Sequence, residues 1–147
     1  MEFKTAAQKA CYEKIGPWVK ELFGAFSMAR DDAPVFAVMS GSAIAYVSVA
    51  PWGEDDATIT VRAYVVTGAE PTQDLMHYLL QKNDTMRFGA FGMDEDNDIF
   101  FEHTIVGSSC DKEELKASVM AVVMTADKFD DEIVARWGGQ RAFDRMR

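Results

Sequence analysis

Cysteine and histidine are scarce, because the 147 residues include only two of each. The cysteines, Cys11 and Cys110, form no CxxC motif, and two cysteines do not supply the disulfide framework of a small secreted domain. Together with the histidines, His77 and His103, they show none of the short ligand spacings of a zinc site. The sequence therefore predicts neither structural disulfides nor a zinc centre, and it favours a reducing, cytoplasmic location.

Positive charge and long apolar runs are also lacking. Only 15 basic residues stand against 24 acidic ones, which leaves a formal charge of -9. Counterion-release binding to DNA or RNA needs a basic surface, and an anionic membrane repels a chain of its own sign. No run approaches the roughly 18 apolar residues of a membrane helix, and residues 1–10 lack the apolar core of a signal peptide. We expect no nucleic-acid partner and no membrane partner.

Length and pattern predict one α+β domain over residues 1–147. Hydrophobic residues make up 48% and charged residues 27% of the chain, which is ordinary globular composition and argues against disorder. Apolar periodicity and turn residues predict the order helix, three strands, helix, two strands, helix, with a five-stranded antiparallel sheet. The predicted helices cover residues 5–26, 71–83 and 111–137, and the predicted strands cover residues 35–39, 43–50, 58–66, 86–93 and 99–106.

The last predicted helix carries a long apolar stripe. Asp111 is a good N-cap with Glu114 three residues on. The predicted helix is about 40 Å long, whereas the predicted strands are about 27 Å long and the five-stranded sheet is about 19 Å wide. The helix should therefore overhang its sheet, and an exposed stripe marks an interface. We predict a homodimer through this stripe, with packing by the first helix as the monomeric alternative. The predicted interface residues are Val122, Phe129, Ile133 and Trp137.

An acidic segment lies between the last two predicted strands. Asp94, Asp96 and Asp98 stand at alternate positions, as in the first half of a calcium loop. That loop also needs glycine at its sixth position and glutamate at its twelfth, where this sequence has Ile99 and Ile105. The segment is therefore predicted to be a solvated turn and not a metal site.

No catalytic signature is present. The sequence contains no GxxxxGK[ST] and no GxSxG motif, so no cofactor is expected. A small enzyme using His103 with Glu102 or Asp98 is an alternative, but successive strand residues point to opposite faces, which separates His103 from Glu102. Cys110 precedes a helix, which favours a thiolate, but three neighbouring carboxylates oppose it: Asp111, Glu113 and Glu114.

A surface for a protein partner is the remaining hypothesis. The chain has nine methionines and 12% aromatic residues, and soft side chains suit adaptable peptide surfaces. Glycines at positions 89 and 92, inside a strand pattern, should leave a groove over the sheet. The candidate partner-binding residues on the exposed sheet face are Arg62, Tyr64, Phe88 and Phe91. An arginine-rich tail that includes Arg145 and Arg147 is expected to dock on acidic surface.

The sequence resembles YbjN-domain proteins of photosynthetic bacteria, which have the type III secretion chaperone fold. The resemblance implies an α+β domain, often a homodimer, that binds peptides or partner proteins, with no catalytic residues to carry over. It favours a non-catalytic chaperone-like or regulatory protein; a structural subunit of a larger assembly is the alternative. The segments that carry it are IGPW (15–18), PWG (51–53), RFGAFG (87–92), DED (94–96), FEHTIVGS (101–108) and DEIVARWGG (131–139).

Overall fold

The computed structural model describes residues 1–145, so Arg147 of the predicted tail lies outside the described residues. These residues form four α-helices and seven strands, and each predicted helix and strand is present. In chain order they are α1 (Ala6–Phe23), β1 (Ser27–Ala29), β2 (Val35–Ser40), β3 (Ala43–Trp52), β4 (Asp56–Thr67), α2 (Gln73–Thr85), β5 (Ala90–Met93), β6 (Ile99–Val106), α3 (Lys112–Trp137), β7 (Gln140–Arg141) and α4 (Ala142–Arg145).

The strands form one antiparallel sheet in the order β1-β2-β3-β4-β6-β5, and β7 pairs with the end of β4. The predicted α+β class is confirmed, but the described sheet has seven strands where five were predicted. The two additional strands, β1 and β7, are three and two residues long. Segments this short carry too little apolar alternation to be recognised from sequence.

Helices α1, α2 and α3 cover one face of the sheet, and the other face is open except at one end, where the short α4 lies. Alternate residues of β4 are buried, as the sequence predicted, and they include Ile59, Val61 and Ala63. These residues lie in the core together with buried residues of α1, α2 and α3, such as Ile15 and Leu75. The intervening residues of β4 point to the opposite side, which we call the open face. No helix within residues 1–145 has the length and apolarity to cross a bilayer.

Helix α3 lies along the covered face and buries its apolar stripe there. It begins as predicted, with the Asp111 carboxylate accepting a hydrogen bond of 2.7 Å from the Glu114 backbone N–H, and it ends before Gly138, whose φ is +79°. Its 26 residues span about 39 Å at 1.5 Å per residue. Strand β4 has 12 residues and spans about 40 Å. Strand β4 is thus about as long as α3, and the apolar stripe is buried as far as Ile133, so the predicted exposed stripe is absent.

Candidate functional site

A row of neighbouring side chains crosses the open face from one sheet edge toward the other. Met28 of β1 pairs with Ala37, Ala37 with Tyr46, Tyr46 with Arg62, and Arg62 with Glu102 of β6. Paired residues of adjacent strands lie on the same face about 5 Å apart. The row is apolar at the β1 edge and charged at β6, so the open face has two chemically different ends.

The apolar end is a depression of about 600 Å³ over β1, β2 and β3. Met28 is 69% exposed there, and Phe26 and Met39 are also exposed. Contiguous exposed apolar side chains mark an interaction surface, and methionine adapts its shape to different partners. Ser27 and Arg30 also line this end, and Arg30 is paired with Asp32. The other side chains that line it are Ala25, Phe26, Met28, Ala37, Met39, Ile44 and Tyr46.

The centre of the open face is formed by stacked and paired side chains. The Arg62 guanidinium lies 3.8 Å from the centre of the Phe100 ring, and Arg62 Nη2 lies 2.7 Å from Glu102 Oε2. The edge of the Tyr64 ring packs against Phe100, with 6.1 Å between ring centres. Arg62 is therefore paired with Glu102, and its guanidinium covers one face of the Phe100 ring.

A second depression, of about 350 Å³, adjoins the apolar one, because Ile44 and Tyr46 line both. This acidic end of the open face is also lined by Tyr64, Thr67, Asp94, Asp96, Asp98, Ala142, Phe143 and Arg145. The three carboxylates offer oxygens within 4.8 Å of one another. Asp94 Oδ1 accepts the backbone N–H groups of Asp96 and Asp98, each at 3.0 Å. Asp94 Oδ2 accepts the Tyr64 hydroxyl at 3.0 Å. The segment is thus a hydrogen-bonded acidic turn.

Hydrogen bonding favours the ionised form of Asp94. Desolvation opposes ionisation of Asp94, but the backbone N–H of Asp98 and the Tyr64 hydroxyl outweigh it and lower the pKa of the carboxyl. Asp98 Oδ2 lies 3.2 Å from Arg145 Nη1, and its side chain is largely buried. The absence of a metal at this turn stays a prediction.

Comparison with known proteins assigns the chain to a family. The family model TY-Chap1, described as T3SS (YopN, CesT) and YbjN peptide-binding chaperone 1, matches residues 12–145. The chain belongs to this family. The predicted resemblance to YbjN-domain proteins and secretion chaperones is therefore confirmed, and with it the chaperone-like, peptide-binding class of function. No curated protein matches the sequence.

Solved structures share the fold of this TY-Chap1 chain at low sequence identity. A chain of the ExsC–ExsE complex matches with a TM-score of 0.65 and 14% identity over 88% of this chain and 96% of that one. A chain of the HopA1–SchA chaperone–effector complex matches with a TM-score of 0.61 and 10% identity over 84% of this chain and 96% of that one. A third match is a chain in the structure of the Yersinia pestis type III secretion chaperone SycH in complex with a fragment of YscM2. Its TM-score is 0.52, with 18% identity over 82% of this chain and 98% of that one.

Two of the four predicted partner-binding residues of the TY-Chap1 chain lie on the open face, namely Arg62 and Tyr64. Phe91 does not, because it is 7% exposed and packs against Phe101 and Phe129 with ring centres 5.1 and 5.5 Å away. The predicted strand over residues 86–93 begins only at Ala90. Phe91 then pairs with Phe101, which faces the core.

Gly89 explains the late start of β5. Its φ is +87°, and a Cβ at this position would overlap the carbonyl oxygen of Glu102. The preceding Phe88 is exposed, and its ring edge meets His103, with 5.8 Å between ring centres. His103 pairs with Val61 on the covered face, so Phe88 lies away from the open face. The open-face residues that sequence reasoning missed are Phe26, Met28, Met39, Ile44 and Tyr46.

The candidate catalytic groups of the TY-Chap1 chain are not brought together. His103 Nδ1 lies 2.8 Å from Ser118 Oγ of α3, whereas Glu102 pairs with Arg62 on the opposite face. Burial, followed by the charge of Glu114, raises the pKa of the Cys110 thiol to about 11. This shift opposes a reactive thiolate at neutral pH. His77 is exposed on α2.

The predicted dimer stripe of α3 lies inside the chain's own core. Val122, Phe129 and Ile133 are buried against the covered face. Trp137 is partly buried, and its ring centre lies 4.8 Å from that of Tyr78 in α2. Trp137 Nε1 also donates to Asp74 at 3.1 Å. These residues are therefore not an exposed interface, and the assignment of the stripe to a dimer contact is corrected.

Proposed function

We propose that the chain binds an extended segment of a partner protein across its open face. The observation that carries this proposal is the exposed apolar end of that face, formed by Phe26, Met28, Met39 and their neighbours. The family description, a peptide-binding chaperone, supports the same class of ligand. Solved structures of the same fold include a chaperone–effector complex, which supports a protein segment as the ligand.

The apolar end has the physical properties of a peptide-binding surface. Burying one exposed methionine or phenylalanine side chain contributes about 1.5–3 kcal/mol. One such contact does not offset the free energy lost in ordering a short peptide. Two or three contacts that form together can offset it. A segment with apolar side chains at alternate positions meets this requirement, because alternate residues of an extended chain share one face.

We also propose that the chain is non-catalytic and cytoplasmic. The separation of His103 from Glu102 on opposite sheet faces supports the absence of catalysis. Cys11 and Cys110 are both buried free thiols, and such thiols persist in a reducing compartment.

The Met28→Asp variant is expected to bind a partner peptide at least tenfold more weakly than the wild type, a loss of about 1.4 kcal/mol. A charge at this position opposes burial of the ligand's apolar side chains. The peptide is selected on the wild-type protein from a random phage-displayed library of short peptides. Its affinity for each protein is then measured by fluorescence anisotropy of a labelled synthetic copy.

Met124→Asp is the matched control for this experiment. Met124 is 62% exposed, close to the 69% of Met28, but it lies on α3 on the other side of the molecule. We expect this variant to retain wild-type affinity. Affinity that survives Met28→Asp and falls in Met124→Asp would place the peptide site on the helices and contradict the proposal.

We further propose that the chain forms a homodimer, through the outer face of α2 rather than through α3. Leu80 is 68% exposed, and Met76, one helical turn before it, is also exposed. Light scattering on the wild type at micromolar concentration should give twice the 16.4 kDa chain mass. Leu80→Glu should halve that mass, and Met28→Asp should leave it unchanged. A wild-type mass of 16.4 kDa would refute the dimer.

A further inference from the structure

We propose that the open face selects segments in which apolar side chains are separated by a few residues from an arginine or lysine, with the basic side chain bound by Asp94, Asp96 and Asp98. This inference rests on the proposed function and adds the chemistry of the partner. The apolar part of the segment lies on Phe26, Met28 and neighbouring side chains. The basic residue reaches the acidic turn, whose depression adjoins the apolar one.

Charge at the acidic end favours a basic side chain. Three carboxylates line this depression together with one guanidinium, that of Arg145. The nearest arginine on the open face, Arg62, is already paired with Glu102. Asp96 is exposed, so an incoming cation can approach it without displacing a core residue. The depression therefore retains an excess of negative charge where the open face ends.

The chain's own C-terminal segment shows which side chains this depression accommodates. Phe143 and Arg145 of α4 both line it, and Arg145 Nη1 contacts Asp98 Oδ2 at 3.2 Å. Phe143 also lines a neighbouring depression with Phe26 and Met39. An aromatic residue and an arginine two positions apart thus already occupy the junction of the apolar and acidic ends. A partner segment with the same pairing can place its arginine against the exposed Asp96, since the oxygens of Asp94 and Asp98 already accept hydrogen bonds within the chain.

A buried hydroxyl provides a second and independent indication of a ligand. Thr67 lines the acidic depression and is buried, and its Oγ1 has no hydrogen-bond partner within residues 1–145. Leaving a buried polar group unpaired is unfavourable. A guanidinium has five N–H donors in a planar fork, enough to bond the carboxylates and still supply Thr67 with a donor. The larger number of donors favours arginine over lysine.

The size of the open face sets the spacing of the segment. The β1 edge and the acidic turn are three to four strand spacings apart, which is about 14–19 Å. An extended chain advances about 3.3 Å per residue. The basic residue should therefore stand about four to six positions from the first apolar residue of the segment.

Two fluorescein-labelled synthetic peptides of nine residues test the inference by fluorescence anisotropy. The first has leucine and phenylalanine at alternate positions and an arginine about five positions from the first of them, and the second has glutamine in place of that arginine. Each peptide is also made with its sequence reversed, because an extended segment can cross the open face in either direction. We expect wild-type protein to bind the arginine peptide at least fivefold more tightly than the glutamine peptide.

Variants in the acidic turn provide the matched comparison. Asp96→Asn removes one charge from the depression, and Glu95→Gln removes one charge from the same exposed turn at a residue that does not line it. Asp96→Asn should bring the ratio of the two affinities close to one, whereas Glu95→Gln should leave it fivefold or greater. Equal effects of the two variants would show general electrostatics and overturn the inference.

The remaining outcomes separate this inference from the function on which it rests. If both peptides bind equally and both are weakened by Met28→Asp, the open face is the peptide site but its preference for a basic residue is refuted. If neither peptide nor any library peptide binds, the proposed function fails and this inference fails with it. Thermal melting of each variant confirms that it is folded before its affinities are compared.

Discussion

The Ile133→Glu variant is expected to lose its cooperative fold. Ile133 is fully buried in α3, so the substitution places a carboxylate in the core and removes a packed aliphatic side chain. Such substitutions cost more than about 4 kcal/mol, which is comparable to the whole stability of many domains. Near-ultraviolet circular dichroism and urea unfolding of the purified variant measure the loss.

Met124→Glu, on the same helix, controls for the change in charge and in helix propensity. Met124 is exposed, and its substitution should change the free energy of unfolding by no more than about 0.5 kcal/mol. An Ile133→Glu protein with wild-type stability would contradict the burial of the stripe. If that protein had also lost a dimer, the stripe would be an interface after all.

The sequence carried the regular elements of the fold well, for identifiable reasons. Strand β4 alternates buried and open residues along most of its length, so its two faces could be assigned before the structure. Helix α3 combines an N-cap at Asp111, a stripe at spacings of three and four, and Gly138 after its last residue. These signals are local, since each depends on residues within one turn or one strand.

The length of β4 and the packing partner of α3 are not specified by local patterns, and the predictions about them were wrong. Strand β4 continues to Thr67, beyond the predicted end at residue 66, and begins at Asp56. The stripe of α3 is buried as far as Ile133, so the exposed surface on which the stripe-mediated dimer depended is absent. No periodicity within α3 shows whether its stripe meets its own sheet or a second chain, because both environments are apolar.

The candidate site could be predicted only at its centre. Arg62 and Tyr64 were found because they alternate with buried residues of a long strand. Met28 was missed because β1 has only three residues. The acidic turn was recognised as a turn, but its contact with Arg145 joins residues 47 positions apart. The sequence did predict that the arginine-rich tail docks on acidic surface, and Arg145 does so, but which carboxylate it contacts depends on the tertiary fold.

Phe91→Ala should destabilise the protein by about 3 kcal/mol, toward the lower end of the range for buried phenylalanine. The Phe91 ring packs between Phe101 of β6 and Phe129 of α3, in edge-to-face contact with both. Its removal leaves a cavity between the edge strand β5 and helix α3. Because β5 has only four residues, it can shift to fill part of this cavity, which reduces the loss of stability. Equilibrium urea unfolding of the wild type and the variant measures the difference.

Phe88→Ala is the control, because Phe88 stands three residues earlier and is 46% exposed, compared with 7% for Phe91. We expect its substitution to cost less than about 1 kcal/mol, since the side chain loses mainly one edge contact with His103. Both variants should retain affinity for the selected peptide, because neither ring lies on the open face. A Phe91→Ala protein with wild-type stability and weakened peptide binding would instead return Phe91 to the partner surface that the sequence predicted.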